Sequence, residues 1–155
     1  MIKIADAIEN GSWYFVNYQD DFDDEAFFSF QMKINSFHQL DFNDVDDVEE
    51  IESIEIGSNI WILQFDLINL NKKKYDDIDF GNKLVVCDQD GYQYNTVCDS
   101  HLCQFSDFAR TTGLEKFLDM NLPPKIPKSG AYIFELPEYI EELFLDMDGG
   151  EIGEI

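Results

Sequence analysis

The stretch Ser58-Asn59-Ile60-Trp61-Ile62-Leu63-Gln64-Phe65-Asp66-Leu67-Ile68-Asn69-Leu70 decides the fold class. Within it Trp61, Leu63, Phe65 and Leu67 alternate with Ile62, Gln64, Asp66 and Ile68. A period of two places successive side chains on opposite faces of a strand, whereas a helix would repeat its apolar residues at three and four. The same pattern extends outward on both sides. Ser12 to Asn17 reads as a strand, and Ala26 to Phe37 as a longer one with Phe28, Phe30, Met32 and Ile34 on one face. Asn82 to Cys87 is another, followed by the hairpin turn Asp88-Gln89-Asp90-Gly91, whose glycine supplies a positive φ. Tyr92 and Tyr94 open the returning strand, and Ala131 to Leu136 and Leu143 to Met147 are closing strands separated by Pro137.

Helical periodicity is scarce. Ser106 to Met120 carries Phe108, Leu114, Phe117 and Leu118, which predicts one short helix near 106–118, interrupted at Gly113. In Asp41 to Glu55 the residues Val45, Val48, Ile51 and Ile54 are spaced by three. A turn or two of amphipathic helix would satisfy that spacing, as would a loop pinned by its apolar residues; a loop running into a strand at Ser53 to Ile56 is preferred. Pro123 to Pro127 is an extended linker. With no internal repeat, the chain is expected to be one domain, residues 1–155, mainly β and built as an antiparallel β-sandwich. A chain of this length buries about two-thirds of its unfolded surface.

The charge is the second informative feature. The 155 residues carry 33 Asp and Glu against 10 Lys and Arg, a formal net charge of −23, yet they are 45% hydrophobic and 15% aromatic. Disordered acidic tails lack such an apolar content. A strongly negative surface repels nucleic acid and anionic membranes and attracts basic proteins. No apolar run approaches the ~20 residues of a membrane span. Met1 to Asp6 shows neither a basic-then-apolar region nor a cleavage pattern. The odd set Cys87, Cys98 and Cys103 fits reduced thiols better than a disulfide framework. These features predict a cytoplasmic location.

Three motifs carry a family likeness. Trp61 to Asn69 is a long apolar strand ending in Asn; Leu84 to Tyr94 is a strand, acidic turn, Gly and Tyr; Gly130-Ala131-Tyr132-Ile133-Phe134-Glu135-Leu136-Pro137 with Leu143-Phe144-Leu145 closes the set. In this order, from Asn59 to Leu145, they resemble a small immunoglobulin-like β-sandwich domain of unknown function. That domain is found on bacterial lipoproteins and some phage proteins, and is akin to the mycobacterial immunoprotective extracellular antigens. The resemblance implies an immunoglobulin-like topology and no shared catalytic residues. This chain differs from the commonest members in showing no signal, no lipidated Cys and far more acid.

The candidate chemistry is thin. Cys98-Asp99-Ser100-His101-Leu102-Cys103 places two thiols and an imidazole within six residues, but zinc takes about four ligands and no second paired motif supplies the rest. Asp88-Gln89-Asp90-Gly91 resembles part of a calcium loop, yet the first and last ligand positions of such a loop would fall on Val86 and Val97. No phosphate loop, nucleophile elbow or His-rich motif is present. No enzyme activity, cofactor or metal is therefore expected, the alternative being a metal-dependent enzyme or sensor on Cys98, His101 and Cys103.

What remains is the acid itself. Eight carboxylates lie between Asp41 and Glu55, five between Asp20 and Glu25, and a third group from Glu135 to Glu154. The magnitude exceeds the roughly 2–8 charges that solubility asks of a small domain. Phe22 and Phe42 interleave with the acids, as anchors do at interfaces. The expectation is a non-enzymatic inhibitor of a basic, nucleic-acid-handling enzyme, serving toxin immunity or phage anti-defence, with contacts through Asp20, Asp21, Phe22, Asp23, Asp24, Asp44, Asp46, Asp47, Glu49 and Glu50. The alternative is a structural or adhesion-type module whose acid is a solvated face and which associates edge to edge through a strand such as Ser12 to Asn17.

Overall fold

The computed structural model describes residues 1–19, 27–39, 60–72, 83–96, 122–138 and 141–155. They form β1 (Ile2–Lys3), α1 (Ile4–Asn10), β2 (Trp13–Gln19), β3 (Phe27–Gln39), β4 (Ile60–Asn69), β5 (Leu84–Asp88), β6 (Gln93–Asn95), β7 (Lys128–Glu135), β8 (Leu143–Met147) and β9 (Gly150–Glu154). The strands make two antiparallel sheets, of order β7-β4-β3-β2-β9 and β1-β8-β5-β6. The expected mainly β sandwich is what forms. The helix expected near 106–118, the Asp41–Glu55 segment and the Ser53–Ile56 strand lie outside the described residues.

One hydrophobic core joins the sheets. Alternate residues of each strand enter it: Tyr14, Val16 and Tyr18 from β2, Phe30, Met32 and Ile34 from β3, Leu63, Phe65 and Leu67 from β4, Tyr132 and Phe134 from β7. The facing sheet contributes Leu84, Val86, Leu145 and Met147. Each such side chain adds about 1.5–3 kcal/mol on burial. Phe65 and Tyr132 stack with centroids 5.3 Å apart, and Tyr18 and Phe30 at 6.0 Å. Ile60 and Ile62 belong to the opposite face of β4, where they too are buried and Ile62 registers with Ile133 of β7.

The long β3 changes face part-way. Its register against β4 slips between Ile34 and Ser36, so one extra residue sits on the β3 side. A bulge of this kind inverts the alternation. Phe28, Phe30, Met32 and Ile34 share one parity, and beyond the bulge Phe37, of the other parity, packs on the same core.

Three elements were not foreseen. The chain begins with a β-strand pairing Ile2 with Leu145 and then a helix, α1, whose Ile4 and Ala7 are buried and whose Ile8 packs on the core. Gly11 closes its last turn with an N–H donated to the Ala7 carbonyl at 3.1 Å. At the other end β9, expected to be only acidic tail, pairs with β2 from Tyr14↔Glu154 to Tyr18↔Gly150. Strand β2 is thereby flanked by β3 and β9. Edge-to-edge association through Ser12 to Asn17 is overturned by this: from Tyr14 to Asn17 the strand already lies between two neighbours. The outermost strands of the described sheets are β7, β9, β1 and β6.

Gly150 permits the crossing from one sheet to the other. A Cβ there would run into the Asn17 carbonyl oxygen and the Tyr18 backbone, so only glycine lets β9 lie this close to β2.

Candidate functional site

The expected contact residues Asp20, Asp21, Phe22, Asp23 and Asp24 lie outside the described residues, as do Asp44, Asp46, Asp47, Glu49 and Glu50, and Cys98, His101 and Cys103. Their points of attachment are described. Residues 20–26 leave β2 at Gln19 and enter β3 at Phe27, which are register partners. Residues 40–59 leave β3 at Gln39 and enter β4 beside Trp61, its register partner. The two departures are at opposite ends of the 13-residue β3, about 40 Å apart at the usual rise of a strand. Among the described residues no group of three His, Cys, Asp or Glu could hold a metal ion.

Following the registers around both sheets sorts the described charges by end. The helix end carries α1, the β5–β6 turn, the end of β7 and the start of β8. Exposed there are Asp6, Glu9, Asp90, Glu135, Glu138, Glu141 and Glu142, and the cation among them is Lys3. The opposite end holds the β8–β9 turn, and with it Lys72, Lys83, Lys125 and Lys128 beside Asp148 and Glu151. The eight carboxylates of Asp41 to Glu55 also join the fold at the helix end. Among the described residues, exposed carboxylates therefore outnumber cations at the helix end, while the stretch Asp20 to Glu25 joins the fold at the other.

At the helix end a cleft of about 250 Å³ lies against α1. Its walls are Ile4, Ala5 and Ile8 of the helix, Phe37 of β3, Trp61 of β4 and Leu143 of β8. Lys3, Glu141 and Glu142 stand on the rim. The rings of Phe37 and Trp61 meet at 5.3 Å, and Phe37 and Phe134 form a T-shaped pair at 6.2 Å. Both wall aromatics are half-buried, so their inner parts belong to the core and their outer parts line the cleft. Lys3 Nζ donates to Glu142 Oε1 at 3.0 Å, a bond that holds the ammonium above its usual pKa.

The cleft residues come from positions 3–8, 37, 61 and 141–143, and no contiguous motif announces them. The bulge in β3 brings Phe37 to it. A second groove of about 610 Å³ lies at the opposite end, lined by Asn17, Tyr18, Phe27, Ser29, Gly149, Gly150 and Glu151.

Asp88 is fully engaged by its own hairpin. Its Oδ1 accepts from the backbone N–H groups of Asp90 at 2.9 Å and Tyr92 at 3.0 Å, and its Oδ2 accepts from the Tyr94 hydroxyl at 3.0 Å. Gly91, with φ of 88°, completes the turn by donating to the Asp88 carbonyl at 3.1 Å. The hairpin reading of this motif accounts for both carboxylate oxygens. Neighbouring Cys87 is a buried free thiol, pushed above its ordinary pKa first by burial and then by Asp146 and Asp88.

No helix among the described residues is long and apolar enough to cross a membrane. No family model and no curated protein matches the sequence. Solved structures match its fold. The chain is similar to MPT63, a secreted protein from Mycobacterium tuberculosis, with TM-score 0.53 and 9% identity over 83% of this chain and 84% of that one. It is also similar to a conserved hypothetical protein from Bacillus anthracis (TM-score 0.47, 14% identity, 90% and 97% covered). A functionally unknown protein from Listeria monocytogenes EGD-e gives TM-score 0.34 at 15% identity, with 88% and 72% covered. None of the three is described as an enzyme. At such identities a likeness concerns the fold, and the first of them supports a two-sheet β-sandwich without assigning a role to any residue.

Proposed function

We propose that this chain is a non-enzymatic acidic binding protein. It acts in the cytoplasm as an immunity or anti-defence inhibitor, covering the basic substrate surface of a nucleic-acid-handling enzyme. The observation that carries this reading is the excess of carboxylates, which among the described residues is densest at the helix end. Ten cations cannot neutralise 33 carboxylates, and the helix end gathers seven exposed acids around one lysine among the described residues. Charge held in one place repels itself and costs stability, while at an interface it speeds encounter and sets orientation. A basic enzyme surface shaped for phosphates is its electrostatic complement.

The test is capture of partners from host lysate on the immobilised chain, with washes at about 0.15 M salt and at several-fold higher salt. A basic nucleic-acid enzyme retained in the first wash and shed in the second supports the reading. A lysate yielding no basic partner, or one indifferent to salt, overturns it in favour of a structural module with a solvated acidic face.

A further inference from the structure

We infer that the cleft against α1 is an anchor pocket for a single arginine side chain presented by a basic protein. This rests on the reading of the chain as an acidic binding protein and specifies where the partner is held. An empty space of about 250 Å³ suits one long side chain. Its lining includes Phe37 and Trp61; aromatic rings attract a cation, and a planar guanidinium stacks on them as a compact ammonium does not. Glu141 and Glu142 stand at the mouth, where a guanidinium would be met by carboxylate oxygens. The Lys3 ammonium already on Glu142 marks the rim as a place where a cation is held. That pair is exposed and contributes little, so an incoming arginine can share or displace it. Exposed carboxylates outnumber cations around it among the described residues, and a neutral or acidic segment has no electrostatic reason to enter.

The experiment follows the two indole N–H signals in a proton–nitrogen spectrum of the full chain while a capped Gly-Arg-Gly peptide is added. Trp61 lines the cleft and Trp13 does not. The Trp61 signal is expected to move and to saturate at roughly millimolar peptide, with Trp13 unmoved. The citrulline peptide, isosteric and uncharged, should leave both in place, and the lysine peptide should bind several-fold more weakly. Ala5→Phe fills the cleft from the exposed side of α1 without removing a core contact, and should abolish the shift; Glu141→Gln should weaken it several-fold. Indole signals that stay fixed, move together, or respond equally to citrulline overturn the pocket. If lysate capture succeeds while the Trp61 signal stays fixed, the pocket fails and the binding reading stands. A Trp61 shift without any captured partner has the opposite meaning.

Discussion

The side-chain amide of Asn69 donates to the main-chain carbonyl of Leu122 at 2.8 Å, joining residues 53 apart in sequence at a site with no solvent access. Its Oδ1 accepts from the Asn71 backbone N–H and from Asn71 Nδ2, each at 2.8 Å, and its carbonyl takes the Lys125 N–H at 2.8 Å. Asn71 in turn meets the Ser29 backbone through both ends of its amide, at 3.1 and 3.3 Å. The end of β4 is therefore tied at once to the start of β3 and to the segment that enters β7.

Replacing Asn69 by Ala leaves buried main-chain groups unmet and should cost about 1–3 kcal/mol in urea unfolding. Asn69→Asp should cost more, because a carboxylate would then face the Leu122 carbonyl. Negligible losses for both would show that the donated bond contributes nothing.

Gly150 and Gly91 offer a contrast within one chain. Gly91→Ala meets no neighbouring atom and bears only the strain of its φ of 88°, about 1–2 kcal/mol. Gly150→Ala must push β9 off β2 because of the Asn17 carbonyl. Its thermal midpoint is expected to fall well below that of Gly91→Ala, and the reverse order would refute the close approach of the two strands.

Alkaline pH should weaken the fold. Cys87 is raised above 9.0, chiefly by burial; Tyr94 above 10.0, by partial desolvation and its bond to Asp88; Lys3 above 10.5, by its bond to Glu142. In each case the native state keeps a proton that the unfolded chain has released. The associated stability is whole below the unfolded pKa and is lost as pH climbs through the folded one. Urea midpoints should decline from about pH 9 upward, and Cys87→Ala should delay the onset. An unchanged onset in that variant would remove Cys87 as a cause.

Salt should have the opposite effect. With a net charge of −23, screening relieves self-repulsion. The thermal midpoint is expected to rise by several degrees between about 0.01 and 0.5 M sodium chloride, a scale of about 1–2 kcal/mol for a domain of this size. A flat response would mean that the carboxylates are already neutralised within the fold.

Charge reversal tests the expected contact residues. Changing Asp44, Asp46, Asp47, Glu49 and Glu50 together to Lys should slow association with the captured partner by roughly tenfold or more and leave the circular dichroism spectrum unchanged. Neutralising Asp148 and Glu151, at the β8–β9 turn, should change that rate far less. Unaltered kinetics in the fivefold variant would move the contact surface away from residues 44–50.

Strands β3, β4, β5, β7 and β8 could be read from alternation because each carries several large apolar side chains to the core. Strand β9 escaped that test: its sequence Gly-Glu-Ile-Gly-Glu sends only Ile152 into the core, and Gly153 is covered by the Phe15 ring at 3.0 Å from where a Cβ would stand. Helix α1 is seven residues long, too short for periodicity to stand out, although Ile4 and Ile8 at i and i+4 and Gly11 at its end were visible. Simple alternation from Phe28 would put Phe37 on the face away from the core, because alternation cannot register an inserted residue. The cleft needs that insertion, the helix and two distant strands together, so no local pattern could reveal it.

The pairing of Tyr14 with Glu154 sets a schedule for the newborn chain. Strand β2 leaves the ribosome about 140 residues before the strand that shields its second edge, a wait of roughly 7–28 s at ordinary elongation rates. For that interval Trp13 to Gln19 presents an unpartnered row of amides and carbonyls, the template on which misassembly begins. The early chain carries its own deterrent: the stretch that follows β2 holds five carboxylates in six residues, Asp20 to Glu25, so nascent copies on neighbouring ribosomes repel one another until β9 arrives.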